Sequence, residues 1–181
     1  MNTGVVSMRY AKSFFAYATE QGVEDAIYAN MLQLMHTLQQ VRELTAVLAG
    51  PSLTNDERVA LLCSAVDSSP VYEDFIRLVV EKEREPLLIF IAHCYISLYR
   101  KAKNILAVTL TTAVPIDDGL RAKVSAAVAR GDKVVELTEK VTPDIIGGFV
   151  CETDSHRLDA SIKRQIRDVE KELIKQNRKL V

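Results

Sequence analysis

The sequence predicts a mainly α protein in two parts: an N-terminal bundle of antiparallel helices, then a small α+β domain of order β-α-β-β-α. Three observations carry this. Between Ser7 and Lys103 apolar residues recur at steps of three and four, interrupted by capping and proline signals. At Ile105 the period changes to two. Further on, Val134–Glu152 (VVELTEKVTPDIIGGFVCE) sets two β-rich runs around a polar, proline-containing break. The change of period places the domain boundary at Lys103–Ile105, giving domains 1–104 and 105–181.

In chain order, the first helix reads SMRYAKSFFAYATEQG from Ser7. Tyr10, Phe14 and Tyr17 fall on one side and Met8, Ala11, Phe15 and Ala18 on another, so it is apolar over much of its circumference. Such a helix either lies deep in the bundle, or packs on the core with one side and offers the other to a partner. Periodicity favours the first. Gly22 fits its C-terminal stop. Val23, Ile27, Met31, Leu34, Leu38 and Val41 outline a long second helix, with Leu44–Ala49 a separate turn before Gly50-Pro51. Thr54-Asn55-Asp56-Glu57 is a capping box that opens a helix carrying Val59, Leu62, Cys63 and Val66. Asp67-Ser68-Ser69-Pro70 closes it and starts the next, with Val71, Phe75, Leu78 and Val79 on one side. Pro86 forces another boundary, and Leu87–Lys103 carries Leu87, Phe90, Ile91, Cys94, Tyr95 and Leu98. The total is five or six helices.

In the second part, Leu106, Val108, Leu110, Thr112 and Val114 alternate with Ala107, Thr109, Thr111 and Ala113 in a strand ended by Pro115. Asp117 can cap a helix with Leu120, Val124 and Val128, stopped near Gly131. In Val134–Val141, one face carries Val135, Leu137, Glu139 and Val141, the pattern of a half-buried strand. Thr142-Pro143-Asp144 is turn chemistry, so this run and Ile145–Cys151 read as a hairpin. Gly147-Gly148 inside the second run requires a bulge, a bend or the close approach of another backbone. After Thr153–Asp159, a last helix shows Ile162, Ile166, Val169 and Leu173 on an otherwise charged surface.

Composition excludes several classes. The 181 residues are 48% hydrophobic and 26% charged, with a net charge of −1, so no global basic field for nucleic acid exists. Neither part is strongly biased, with 10 basic and 12 acidic residues before Ile105 and 13 and 12 after. The most apolar stretch, Leu87–Ile96, is interrupted by His93 and is too short to span a bilayer. MNTGVVSMRYAK has neither a secretory signal nor transit-peptide character, which leaves a bacterial-type cytoplasmic protein or one whose targeting segment is absent. Cys63, Cys94 and Cys151 lie far apart among apolar residues and read as small buried hydrophobes. His36, His93 and His156 have no metal-ligand spacing, and His93 reads as a core residue. The run Glu81, Lys82, Glu83, Arg84, Glu85 reads as a solvated, salt-bridged surface. Gly147-Gly148 lacks any phosphate-loop context, and Ser64 and Ser161 lack nucleophile-elbow glycines. No catalytic residue, cofactor or metal is expected. One alternative use remains, a nucleic-acid-binding helical adaptor built on the basic run Lys163, Arg164, Arg167, Lys171, Lys175, Arg178, Lys179. Asp168, Glu170 and Glu172 interrupt that run and no aromatic accompanies it, so a solvated face or a surface for another helix fits better.

Three stretches carry a family resemblance. Arg9-Tyr10-Ala11-Lys12-Ser13-Phe14-Phe15 is similar to an opening R-Y-A-x-A-L-F, and Ala107–Ile116 to a strand A-x-V-x-T-A-x-P-L. Val141-Thr142-Pro143-Asp144-Ile145-Ile146-Gly147-Gly148 is similar to V-D-P-x-L-I-G-G, followed by a D-x-S step at Asp159-Ala160-Ser161. Together they resemble the delta subunit of bacterial F-type ATP synthases, the relative of the mitochondrial oligomycin-sensitivity-conferring protein. Thr142 stands where the family usually has Asp, and Thr153 or a neighbour where it has Gly before Asp154.

The resemblance implies a non-catalytic stator subunit with a six-helix N-terminal bundle. That bundle would sit on the catalytic α/β head and hold the N-terminal helix of an alpha subunit between its first and fifth helices. On this chain the groove would involve Ala11, Phe14, Phe15 and Ala18 with Phe75, Leu78 and Val79, so the first helix now reads as core plus partner face. The C-terminal domain would engage the b subunits of the peripheral stalk, with one copy per complex and Pro143, Gly147 and Gly148 as its structural signature. Membrane association, at the cytoplasmic face of the bacterial inner membrane, would be indirect, through the proton-driven complex.

Overall fold

The computed structural model describes residues 3–41, 44, 47–48, 50, 53–129, 134–153 and 156–177. The chain divides into two compact units, Met1–Ala102 and Lys103–Val181.

The first unit holds α1 (Thr3–Glu20), α2 (Glu24–Gln40), α3 (Asn55–Ser64), α4 (Pro70–Glu81), a 3-10 turn (Glu85–Leu87) and α5 (Leu88–Ala102). Five α-helices of this unit lie within the described residues from end to end. In the segment 44–49 where a sixth was expected, Leu44, Val47 and Leu48 are helical and the other positions lie outside the described residues. Local chemistry sets the helix ends. Gly22 at φ +67 lets Val23 N–H reach Ala18 O (3.0 Å) and Gly22 N–H reach Thr19 O (3.1 Å), closing α1. Thr54 Oγ1 accepts from Glu57 N–H (3.3 Å), while Glu57 Oε2 accepts from Thr54 N–H (2.8 Å) and from the Thr54 hydroxyl (2.8 Å), and the two bonds to Oε2 hold the Glu57 carboxyl below its usual range. Ser69 caps α4, with Pro70 in its first turn.

α5 packs against α1 and α2, and α3 against α4. Leu88, Ile91, Ala92, Tyr95, Ile96 and Tyr99 bury the inner face of α5. That face excludes His93, which is exposed: it falls between the buried rows of the helix and is not a core residue. Glu85 also departs from expectation. It is 8% exposed and binds Arg58 (3.0 Å), whose other nitrogen donates to Gly50 O (2.8 Å), so it is a buried tie rather than part of a solvated run. The three cysteines are half-buried, with thiols pushed up by burial.

The second unit holds β1 (Ile105–Thr112), α6 (Asp118–Val128), β2 (Val134–Val141), a 3-10 turn (Pro143–Ile145), β3 (Phe149–Thr153), β4 (Arg157–Asp159) and α7 (Ile162–Asn177). The sheet order is β2-β1-β3-β4. β1 shows the expected alternation, with Val108, Leu110 and Thr112 buried. β2 pairs parallel to β1 after the α6 crossover, and β3 pairs antiparallel to the other side of β1. The two runs flanking Pro143 are therefore not a hairpin, because β1 lies between them. β4, within a stretch read as a connection, extends the order to β-α-β-β-β-α. Asp117 caps α6 through Leu120 N–H (2.8 Å), while the expected stop at Gly131 lies outside the described residues. Glu139 accepts from Ile116 N–H (2.9 Å) and Arg121 Nη2 (3.0 Å), tying the β1–α6 link to β2; these bonds lower its carboxyl pKa.

The glycine pair precedes β3 instead of sitting within it. Gly148 has φ +73, and a side chain there would run into the Ala160 carbonyl; one at Gly147 would lie 2.7 Å from Ile162 Cδ1. Gly147 O accepts from Ile162 N–H (3.0 Å), so the β4–α7 link crosses directly over the pair. Close backbone approach is the reason for these glycines. Asp159 Oδ1 then accepts from Ser161 Oγ (2.7 Å) and N–H (3.1 Å), and Ser161 Oγ accepts from Arg164 N–H (3.2 Å), a relay that caps α7. The same bonds hold the Asp159 carboxyl below its usual range.

Candidate functional site: an aromatic groove between α1 and α4

α1 and α4 meet through Phe14 and Phe75, whose rings stack at 3.8 Å and 8°. Above this stack runs a groove of about 540 Å³ lined by Arg9, Tyr10, Ser13, Phe14, Tyr17, Asp74, Phe75, Leu78 and Lys82. Phe14 and Phe75 form the buried floor. Leu78 and Tyr17, 45% and 43% exposed, stand as its walls. Arg9, Asp74 and Lys82 put charge on the rim. Tyrosine suits such a wall, since its ring is apolar and its hydroxyl remains wet. An apolar floor with a charged rim can bind one face of an amphipathic helix.

The expected site residues divide. Phe14, Phe75 and Leu78 line the groove. Ala11, Ala18 and Val79 have no exposed surface and belong to the unit's own core. Phe15 is half-buried with its edge toward Tyr95, ring centroids 5.6 Å apart. The groove thus uses the Tyr10-Phe14-Tyr17 side of α1 and not the Ala11-Phe15-Ala18 side. Tyr10 and Tyr17 were missed, although their i, i+7 spacing around Phe14 was visible. In the second unit Pro143 opens the 3-10 turn and Gly147 and Gly148 form the crossing described above. Of the basic residues on α7, Arg164 and Lys171 are ion-paired to Asp168 (3.6 and 3.8 Å).

Among the described residues no group of three metal-ligating side chains comes together, and no helix is long and apolar enough to cross a membrane. A helical unit with an aromatic groove is thus joined to a small mixed α+β unit. The chain is 39% identical to the ATP synthase subunit delta of Bacteroides fragilis, covering all of both chains, and 31% identical to that of Cytophaga hutchinsonii, covering 94% of this chain and 95% of the relative. The family model for the ATP synthase delta (OSCP) subunit matches residues 6–173, and the chain belongs to that family. It is a structural, non-catalytic family within the stator of F-type ATP synthases. The fold is also that of a chain in the Toxoplasma gondii mitochondrial ATP synthase hexamer, with a TM-score of 0.68 at 18% identity over 93% of this chain and 97% of the other.

Proposed function

We propose that the protein is the connector that links the catalytic α/β head of a bacterial F-type ATP synthase to its peripheral b stalk. It holds the stator against rotor torque during proton-driven synthesis. Residues 1–104 take the N-terminal helix of one alpha subunit, residues 105–181 engage the b subunits, and one copy serves each complex at the cytoplasmic face of the inner membrane. The observation that supports this most is the groove: an apolar aromatic floor, open to solvent, between α1 and α4.

Titration of the full chain with a peptide of the cognate alpha N-terminus tests it. Tight binding is expected, and Leu78→Asp, at an exposed wall position, is expected to weaken it by more than about 2 kcal/mol, since the bound complex would bury an unpaired carboxylate. Wild-type affinity in Leu78→Asp removes the groove from the account. No binding by the folded wild-type chain removes the head-linking role.

A further inference from the structure

The rim of the groove has a polarity that its apolar floor lacks. Counted from the stacked Phe14 and Phe75, the lining runs five residues back along α1, to Arg9, and seven forward along α4, to Lys82. In the other sense it reaches only three residues along α1, to Tyr17, and one along α4, to Asp74. The two walls cover the same stretch only if the helices run in opposite directions along the groove. Arg9 and Lys82 therefore share one end. Asp74 lies with Tyr17 at the other, about 12 Å away at the rise of an α-helix. All three charged residues are exposed, and among the described residues none is ion-paired to them. Glu81, next to Lys82, does not line the groove.

We propose that this rim fixes the direction in which the groove takes its helix. The alpha N-terminal helix lays an acidic first turn over Arg9 and Lys82 and a basic last turn beside Asp74, and so runs in the same direction as α1. This rests on the head-binding reading above and adds the direction and charge of the bound helix. Helices carry acids in the first turn and bases in the last because those charges complement their dipole, as Glu24 and Asp25 do in α2 and Arg100 and Lys101 in α5. A helix so charged and laid in reverse sets carboxylates against Asp74 and cations against Arg9 and Lys82, a mismatch at both ends. The dipole alone favours the reverse, but its half-charges are outweighed by the full side-chain charges in the same turns. The span of the rim asks for an acid and a base about eight residues apart on one flank of the partner.

The test binds the wild-type full chain to the cognate alpha N-terminal peptide carrying a nitroxide at one end or the other, and reads the broadening of backbone amide signals. The label at the peptide's N-terminus is expected to broaden Arg9 and Lys82, and the label at its C-terminus Tyr17 and Asp74. The reverse pattern, or both labels broadening both ends, overturns the direction while the groove stands. No binding overturns the head-binding reading with it. Titrations at low and high salt then test the charges, with circular dichroism to check that the fold is kept. Arg9→Glu/Lys82→Glu is expected to lose about tenfold at low salt, and its binding should no longer weaken as salt rises. Asp74→Lys is expected to lose about threefold, as befits a single exposed pair. Affinity and salt dependence unchanged in Arg9→Glu/Lys82→Glu, with Leu78→Asp still weakened, overturn the rim's role and leave the groove in place.

Discussion

The two units are held together by different means. In the first, Ile27, Met31, Leu34, Leu62, Tyr72, Ile76, Leu88, Ile91 and Tyr95 are all fully buried, and the helices are fixed by interior packing. In the second, the buried apolar residues among those described are Val108, Leu110 and Val150, while most of the described exposed large hydrophobics, from Val114 to Ile174, lie on this unit. Its order comes from strand pairing, the backbone crossing at Gly148 and side-chain ties such as Glu139 and Asp159. A filled core can carry a preformed groove. A thin core with a large apolar exterior gains burial when a partner covers it. On the proposed function, the first unit would serve as a preformed receptor, and the second would depend more on what it binds.

Three substitutions probe that contrast. Ile91→Ala, at a position with no exposure, is expected to cost the first unit about 3 kcal/mol in urea unfolding, the ordinary penalty for a cavity in a packed core. Hydrogen exchange should confine the loss to the helices; an equal loss in β1 and β3 would mean that the units are not independently held. Gly148→Ala must adopt φ +73 and meet the Ala160 carbonyl, so about 2 kcal/mol or more should be lost, from β3, β4 and the start of α7. Unaltered exchange in those elements would show that the crossing can relax and does not hold the unit.

The smallest effect is a pH dependence. The Asp159 carboxyl has a lowered pKa in the folded chain, so its contribution is fully present above the unfolded value of about 4 and is lost as pH falls through the folded value. Asp159→Asn should therefore leave the second unit less stable at neutral pH and flatten its decline in acid, as followed by thermal melts. An acid limb identical to wild type would remove Asp159 from the account.

What was legible in the sequence was local. The capping box at Thr54 and Glu57, the Ser69-Pro70 start, the Asp117 cap and the Gly22 stop each depend on residues within one turn of one another. The alternation of β1 was readable for the same reason, whereas the glycine pair read only as a bulge, a bend or a close backbone approach, because the Ala160 and Ile162 that decide it are distant in sequence. What was not legible was pairing between distant segments. Nothing in Val134–Cys151 shows that β1 will insert between the two runs, and a three-residue β4 carries too little pattern to be seen. Glu85 looks like its charged neighbours until the fold brings Arg58 to it. The groove was partly legible: Phe14, Phe75 and Leu78 came from the resemblance, but the side of α1 that faces it is fixed by packing on α5, which periodicity does not reveal.

The division of labour between the units is the central claim, and hydrogen exchange of the full chain tests it most directly, with the alpha N-terminal peptide or the stalk's soluble b subunit added in turn. The account predicts that the peptide protects Arg9–Tyr17 and Asp74–Lys82 and leaves residues 105–177 unchanged, while the stalk subunit protects the second unit and leaves the groove unchanged. Protection of the second unit by the peptide, or of the groove by the stalk subunit, would contradict it.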